Sequence, residues 1–164
     1  MGKERIDGLM ILLQTLGGIS FTYYGDELGM EDHLGITWDE TVDIQACNSD
    51  RDSYLVLSRD VARTPYQWDN TTNAGFTTKS SPWIPVHPSY VENNLMHQME
   101  TERSHYKLFK DLLALRKNQT FIIGSINLKT STDNVLSYSR SLNGIAFIIA
   151  INLGNQSETV DVSG

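Results

Sequence analysis

Two adjacent carboxylates, Asp26 and Glu27, follow the aromatic pair Tyr23-Tyr24 and Gly25. Two carboxyl groups can act as nucleophile and acid when they flank one bond and lie about 5 to 5.5 Å apart. Neighbouring residues of an extended segment, however, point to opposite faces and do not aim at one atom. We therefore expect one of these carboxylates to bond locally at the end of a strand and the other to be turned away, so that they form no catalytic pair.

The other groups that could bind a metal or a cofactor form no motif. The spacings of the four histidines match no metal-binding pattern. Acidic residues are dense from Asp26 to Asp60, which would suit calcium, but the 12-residue pattern of an EF-hand is absent. The single cysteine, Cys47, cannot form a disulfide within the chain. We predict no metal site and no cofactor, and leave unassigned Trp38 and Trp83, which could stack on a ligand or pack locally.

Composition and charge exclude two classes of partner. The formal net charge is −7 and no basic stripe occurs, whereas affinity for nucleic acid comes from clustered Lys and Arg, so we expect no nucleic-acid partner. The most apolar stretches, Leu9–Leu16 and Gly144–Leu153, are shorter than the roughly 20 apolar residues that a membrane-spanning helix takes. Glu4 and Asp7 lie where the uncharged core of a secretory signal would begin. We predict a globular chain without a membrane segment.

The first part of the chain has the pattern of an α/β fold. Apolar residues recur at spacings of three and four between Lys3 and Leu16, which predicts an amphipathic helix that Gly17-Gly18 ends. The next run, Ile19–Tyr24, is rich in β-branched and aromatic residues and predicts a short buried strand. A stretch with little period then extends from Gly25 to about Val91, and long loops of this kind are usually functional. One strand has no sheet to join, so we interpret the chain as part of a larger domain.

The second part changes character after a helix predicted from about Glu100 to Lys117. Asn143-Gly144 predicts a tight hairpin. Strand-like runs separated by Asn, Gly and Ser turns predict an antiparallel β-module. These runs are Phe121–Ile126, Val135–Ser139, Ile145–Ile151 and Thr159–Val162.

Several long motifs follow one another along the chain: Glu4-Arg5-Ile6-Asp7, Leu16-Gly17-Gly18-Ile19, Tyr23–Met30, Ser58–Asp69 and Trp83-Ile84-Pro85-Val86. Together they resemble glycoside hydrolase family 13, and most closely the insect-type maltases of its α-glucosidase branch, with Tyr66 in place of the commoner Met. The resemblance implies an α/β fold in which residues 1–117 form the C-terminal part of a (β/α)8 TIM barrel, including the long loop after strand eight. Residues 118–164 would begin an antiparallel β-sandwich domain, which this chain leaves incomplete.

The resemblance implies an α-glucosidase that hydrolyses terminal α-linked glucose from maltose, sucrose or short oligosaccharides with retention and needs no cofactor. In this family the nucleophile, the acid and a third carboxylate belong to strands four, five and seven, which would all precede Met1. We therefore expect no catalytic residue in this chain and no activity from it alone. The alternative is a non-enzymatic relative, such as the heavy chain of an amino-acid transporter. The retained Arg63 loop favours the enzyme.

The loops at the carboxyl ends of the strands form the active sites of such barrels, so the resemblance implies that this chain contributes one wall of a substrate pocket. Arg63 matches the family arginine that contacts the terminal glucose, and a planar guanidinium can bind a sugar hydroxyl and a carboxylate together. The alternative for Arg63 is a loop-anchoring salt bridge. For Arg59 two roles stay open: support of the loop or a place in the substrate pocket. Pro65 and Trp68 are expected to support the loop, through a fixed φ and a large packing surface.

Three sequons for N-linked glycans begin at Asn70, Asn118 and Asn155. They carry glycans only if the protein passes through the secretory pathway. The resemblance implies a secreted or surface-anchored glycoprotein whose signal and anchor lie outside this chain. Among the three, we expect Asn118 to be the most favoured, because it falls at a surface junction between a helix and a strand.

Overall fold

The structure is a computed structural model that describes residues 3–163. Two compact units make up the chain. Residues up to Thr22 and those from Lys107 onward form the terminal unit, and Tyr23–Tyr106 form the loop unit. Across residues 3–163, no helix has the length and apolar character that crossing a membrane takes.

All the helices precede the strands along the chain. The helices are α1 (Lys3–Thr15), α2 (Ile44–Cys47), α3 (Tyr54–Leu57), α4 (Leu95–Glu100), α5 (His105–Arg116) and α6 (Gln119–Ile122). The strands are β1 (Ser125–Ser131), β2 (Val135–Leu142) and β3 (Ile145–Asn152).

The terminal unit packs α1 against the sheet, and α1 confirms the helix predicted from the apolar spacing. Gly8 allows the close approach, because a Cβ there would lie 3.0 Å from Cγ2 of Ile151. The core of the unit is apolar, with partly buried side chains of α1 and α5 packed around it. Its fully buried members are Phe121, Tyr138, Ile149 and Ile151.

The buried strand predicted over Ile19–Tyr24 is wrong for this structure. The run pairs with no strand among residues 3–163, Tyr24 at its end lies in a turn, and Ile19 and Phe21 are 85% and 83% exposed. A strand exists only when a neighbour pairs with its backbone, and no parallel neighbour occurs among residues 3–163. Buried Gln14 holds the run instead, since its amide donates to Thr22 Oγ1 (3.3 Å) and accepts from Ser20 Oγ (3.2 Å).

The helix predicted from about Glu100 begins five residues later, at His105. Thr101 ends α4 in an extended conformation, and its hydroxyl donates to the carbonyl of His97 at 2.8 Å. This break separates α4 from α5. The end of α5 at Arg116 agrees with the prediction within one residue.

The antiparallel module is confirmed as a three-stranded sheet in the order β1-β2-β3. Asn143 and Gly144 form its two-residue hairpin with φ of 51° and 82°, a left-handed pair that Asn-Gly favours. The first predicted strand starts late, at Ser125, because Asn118 caps α6 by accepting from the Thr120 amide at 2.9 Å. The predicted strand at residues 159–162 is absent. There the carbonyl of Asp161 accepts from the side chain of Thr130 at 2.6 Å, and no backbone ladder forms among residues 3–163.

A buried arginine that the sequence did not reveal joins the elements of the terminal unit. Arg140 is 1% exposed and donates to the carbonyls of Thr15 (2.8 Å), Phe121 (3.0 Å) and Gly124 (2.9 Å). These carbonyls lie at the C-terminal ends of α1 and α6, where the helix dipoles are negative. Arg140 therefore satisfies backbone acceptors of both helix ends with one cation.

The loop unit has short helices and single 3-10 turns, and many of its buried side chains are polar. Gln98 is typical of them, because its amide donates to the carbonyl of Leu28 at 2.8 Å and accepts from the amide of Tyr106 at 2.8 Å. Irregular backbone leaves donors and acceptors without ladder partners, and buried side chains must satisfy them. The polar core of this unit thus follows from its lack of regular structure.

Candidate functional site

A buried carboxylate, Asp60, lies between the two candidate arginines of the loop unit, directly after Arg59. Asp60 is 2% exposed, and its Oδ2 accepts from the amides of Val42 (2.8 Å) and Asp43 (2.9 Å). A 3-10 turn over Asp60–Ala62 follows. Asp60 therefore fixes the start of this turn to a distant part of the same unit.

Arg59 forms a two-pronged ion pair with Asp43. Its Nε lies 2.7 Å from Oδ2 and its Nη2 lies 2.6 Å from Oδ1, while its backbone amide also donates to Oδ2 at 2.8 Å. The Asp43 side chain is 1% exposed and that of Arg59 is 56% exposed. These hydrogen bonds from Arg59 hold the pKa of the Asp43 carboxyl well below its usual range. Of the two roles open to Arg59, the geometry fits loop support.

Arg63 lies four residues after Arg59 and differs from it in its side-chain contacts. It ends the 3-10 turn, and its backbone amide donates to the carbonyl of Asp60 at 2.9 Å. Within the part of the chain that the structure describes, its half-buried side chain makes no hydrogen bond and no ion pair. The loop-anchoring salt bridge considered as the alternative for Arg63 is therefore not formed among these residues.

Two tyrosine hydroxyls attach the segment after Arg63 to the turn at Tyr23–Gly29. The Tyr24 hydroxyl donates to the carbonyl of Thr64 at 3.0 Å. The Tyr66 hydroxyl donates to Oε1 of Glu27 at 2.7 Å. We call these two bonds the phenol clamp. One phenol comes from each side, so the clamp joins the two segments twice.

Asp26 and Glu27 both bond locally, whereas the sequence predicted this for one of them only. Asp26 Oδ2 accepts from the amide of Tyr23 at 2.8 Å, and Glu27 Oε2 accepts from the amide of Gly25 at 2.9 Å. Neither carboxylate is arranged as half of a nucleophile and acid pair. The expectation that they form no catalytic pair agrees with this geometry.

Both phenols of the clamp are poor acids in this environment. Burial, together with neighbouring Tyr23, raises the pKa of Tyr24 to about 12, and the positive charge of Arg63 opposes the rise. Burial also raises the pKa of Tyr66, and its hydrogen bond to the Glu27 carboxylate adds to that rise. Each hydroxyl therefore keeps its proton and remains a donor at neutral pH.

An aromatic groove of about 530 Å3 lies beside the clamp. Its lining residues are Tyr24, Glu27, Pro65, Tyr66, Trp68, Phe76 and Trp83. Pro65 is fully buried, while Trp68 is half exposed and its ring lies 4.6 Å from that of Tyr66. Trp83 is half exposed at the groove, whereas Trp38 packs edge-on against Tyr54 at 5.5 Å. Trp38 is thus a packing residue.

The residues described form no metal centre: no group of three or more His, Cys, Asp or Glu side chains among residues 3–163 could hold an ion. His33 and His87 come together, with ring centroids 5.2 Å apart, but no third such ligand joins them within that range. Burial lowers the pKa of His33, and His87 lowers it further.

The three sequons differ in accessibility. Asn70 and Asn155 are exposed, as are the two residues after each of them. Asn118 is exposed too, but it caps α6, and the Thr120 of its sequon is buried. Asn155 accepts from Arg5 at 2.5 Å through Oδ1. This geometry favours Asn70 and Asn155 over Asn118, against the order expected from the sequence.

Sequence reasoning missed three residues that shape the site: Tyr24, Glu27 as a bonding partner, and Asp43. Each acts across a long chain separation, since Tyr66 and Glu27 are 39 residues apart and Arg59 and Asp43 are 16 apart. One signal in the sequence could have indicated the bond to Glu27: Tyr66 places a hydroxyl in the motif Ser58–Asp69 where Met is commoner.

Comparison with known proteins assigns the chain to a family. It is 46% identical over 163 residues to Maltase A1 of Drosophila melanogaster, covering 99% of this chain and 28% of that protein. It is 43% identical over 164 residues to the salivary alpha-glucosidase of Aedes aegypti, again covering 99% and 28%. Trehalulose synthase MutB from Pseudomonas mesoacidophila MX-45 matches with a TM-score of 0.82 at 30% identity, covering 92% of this chain and 30% of that one.

The chain thus spans less than a third of the length of these relatives. The names of these relatives do not support the alternative of a transporter heavy chain. The model of the alpha-amylase catalytic domain matches residues 1–124. The resemblance to glycoside hydrolase family 13 is confirmed, and the chain belongs to the alpha-amylase catalytic-domain family.

Proposed function

We propose that the protein containing this chain is an α-glucosidase that hydrolyses terminal α-linked glucose from maltose, sucrose or short oligosaccharides with retention. This chain forms one wall of its substrate pocket. The observation that carries the proposal is the guanidinium of Arg63, which has no hydrogen-bond partner among residues 3–163, on a loop whose neighbouring residues are held by carboxylates and phenols. The relatives named as a maltase and an alpha-glucosidase support the same reaction.

The structural part of the proposal assigns residues 1–117 to the end of a (β/α)8 barrel and residues 118–164 to the start of a β-sandwich domain. In it, α1 is the seventh barrel helix, and the unpaired run at Ile19–Tyr24 is the eighth strand. The apolar side chains of that run support this assignment, because they are exposed here and would be buried between parallel neighbours. The antiparallel sheet β1-β2-β3 supports the second domain.

Arg63 binds the terminal glucose in this proposal. A planar guanidinium presents several N–H donors in a fixed fork, which suits adjacent sugar hydroxyls and a nearby carboxylate. An arginine already engaged by a buried carboxylate, as Arg59 is by Asp43, has fewer free donors. Arg59 then supports the loop, together with Pro65 and Trp68.

Bond cleavage itself requires two carboxyl groups on either side of the glycosidic bond. Both candidate carboxylates of this chain are engaged with local backbone amides. The proposal therefore places the nucleophile and the acid in other parts of the full-length protein, and this chain alone is expected to be inactive. Arg63 and its loop select and orient the terminal sugar.

The proposed location is extracellular, secreted or anchored to the cell surface. Two relatives are named as salivary alpha-glucosidases, from Aedes aegypti and Anopheles gambiae, which supports secretion. Glycans are expected first on Asn70 and Asn155, then on Asn118. Peptide mass mapping of the secreted protein after glycan removal tests this order, because each released glycan converts its Asn to Asp. An unmodified Asn70 and Asn155 beside an occupied Asn118 would contradict it.

Glucose release by the purified full-length protein tests the proposed function. The expected result is hydrolysis of maltose, sucrose and short maltooligosaccharides from the non-reducing end. Proton NMR should show the α-anomer of glucose as the first product, since retention preserves the configuration. Absence of glucose release, or the β-anomer as first product, would refute the proposal.

A further inference from the structure

We infer that Tyr66 is a positioning residue, whose hydroxyl sets the place of Arg63 through the phenol clamp. This inference rests on the proposed function, because it assigns Tyr66 a role in the binding of the terminal sugar by Arg63. It concerns a hydroxyl that the commoner Met at this position would lack.

The clamp holds the chain immediately after Arg63 at two points. Thr64 is bonded through its carbonyl to the Tyr24 hydroxyl, and Tyr66 is bonded through its own hydroxyl to Glu27. Thr64 is buried and Pro65 between them has a fixed φ. The backbone that leaves Arg63 therefore has little freedom while both bonds exist.

The Glu27 end of the clamp is itself rigid. Its second oxygen accepts from the amide of Gly25 at 2.9 Å, and Gly25 has a φ of 93° that favours glycine. A side chain at Gly25 is also excluded by space, because a Cβ would lie 2.7 Å from Sδ of Met30. Tyr66 thus donates to an acceptor that is fixed in place, which makes its bond a positional constraint on the Arg63 loop.

The hydrogen bonds of the Glu27 carboxylate give a second reason for coupling between Tyr66 and Arg63. The Tyr66 hydroxyl occupies Oε1 of Glu27 and the Gly25 amide occupies Oε2, so both oxygens of the carboxylate are engaged. Removal of the hydroxyl leaves Oε1 without this donor. The segment after Arg63 then keeps only the Tyr24 bond to the Thr64 carbonyl as a clamp.

A double-mutant cycle on the full-length protein tests the inference. The variants are Tyr66→Phe, Arg63→Ala and the two combined, with kcat and KM for maltose measured for each. Tyr66→Phe is expected to lower kcat/KM about tenfold, mainly through KM, because one hydrogen bond to a charged group is lost and Arg63 is displaced. In the Arg63→Ala background the same change should cost less than about twofold.

Tyr54→Phe is the matched control. It removes a phenol hydrogen bond in the same unit, from the Tyr54 hydroxyl to the carbonyl of Ile36 at 2.8 Å, without touching the clamp. Its kcat/KM should stay within about twofold of wild type. If Tyr66→Phe fails to fold, Tyr24→Phe breaks the other bond of the clamp and carries the same expectation.

Three outcomes would overturn the inference. The first is a kcat/KM of Tyr66→Phe within about twofold of wild type, and the second is an equal loss in both backgrounds, because a purely structural role does not depend on Arg63. In either case an active wild-type protein leaves the proposed function intact. The third is a wild-type protein that releases no glucose, which overturns the proposed function together with the inference and is recognised without any variant.

Discussion

The terminal unit and the loop unit satisfy their buried backbone groups in different ways. In the terminal unit, helices and an antiparallel sheet pair most of the backbone, apolar side chains such as Phe121 and Ile149 form the core cluster, and buried Arg140 satisfies carbonyls at the helix ends. In the loop unit the backbone is irregular, and buried polar side chains such as Asp60 and Gln98 supply its partners. Regular structure therefore leaves buried side chains mainly the helix ends to satisfy, whereas the irregular loop needs them along its length.

This difference predicts what substitutions do. A change in the terminal unit removes packing and lowers stability without a specific effect on the site. A change in the loop unit removes a particular hydrogen bond, and its effect depends on whether that bond holds Arg63, holds the loop or holds neither.

Phe121→Ala tests the apolar side of the comparison and should have the largest effect on stability. Phe121 is almost fully buried in the core of the terminal unit and packs on Phe147 with ring centroids 4.9 Å apart. Truncation of a buried Phe costs about 3 to 5 kcal/mol through lost transfer energy and a cavity. Thermal melts of the full-length protein measure it. Leu128→Ala, at an exposed position of β1, is the control and should be near neutral; equal losses would contradict the assigned core.

Arg63→Ala tests the loop unit at the proposed substrate site. The loss of one or two charge-assisted hydrogen bonds, at about 1.5 to 3 kcal/mol each, should lower kcat/KM on maltose by roughly ten- to a thousand-fold. The melting temperature should change little, because the side chain has no bonding partner among residues 3–163. Arg63→Lys should restore little, since a single ammonium does not reproduce the fork.

The surface substitution Arg51→Ala serves as a control for Arg63→Ala, because it also removes an arginine side chain, here an exposed one whose contacts are with Asp39 at 3.5 Å and with the Trp38 ring at 5.8 Å. If Arg63→Ala melts like wild type and keeps kcat/KM within about twofold, Arg63 does not bind substrate.

Asp43→Asn tests whether the Arg59–Asp43 ion pair supports the loop, through the pH dependence of stability. The folded pKa of Asp43 lies below its ordinary value of 3.8, so its pairing with Arg59 stabilises the protein above that value. This contribution is lost progressively as the pH falls below about 4, because the unfolded chain then binds the proton more readily. Asp43→Asn should lower stability at pH 7 and weaken the acid dependence. Acid melts of Asp161→Asn, an exposed carboxylate with a lowered pKa near the chain end, provide the comparison; equal changes would exclude a special role for Asp43.

Gly144→Ala should have the smallest effect of the four. A Cβ at Gly144 meets no atom within 4 Å, so the cost is the left-handed backbone alone, about 1 to 2 kcal/mol. Gly8→Ala in α1 provides a contrast, because there the Cβ would press on Ile151 at 3.0 Å without any penalty from φ. If Gly144→Ala leaves the melting temperature unchanged, the hairpin does not have a left-handed residue at position 144.

Features with a local cause could be predicted from the sequence. The spacing of apolar residues predicts α1, and Asn143-Gly144 predicts the hairpin, because a few neighbouring residues are enough to define each of them. The local cap at Asn118 is also present in the sequence, but the apolar run after it has the composition of a strand. The family motifs in Tyr23–Met30 and Ser58–Asp69 predict the loop that carries Arg63, though not which groups hold it.

The sequence by itself determined the family, the helix α1, the antiparallel module and the candidate arginines. The tertiary structure decided which groups meet: Arg59 with Asp43, Tyr66 with Glu27, and Arg140 with three carbonyls. It also decided that Ile19–Tyr24 is unpaired, because a strand depends on its neighbours. Periodicity and turn residues act over a few positions, whereas these contacts join residues up to 125 positions apart and exist only once the chain has folded.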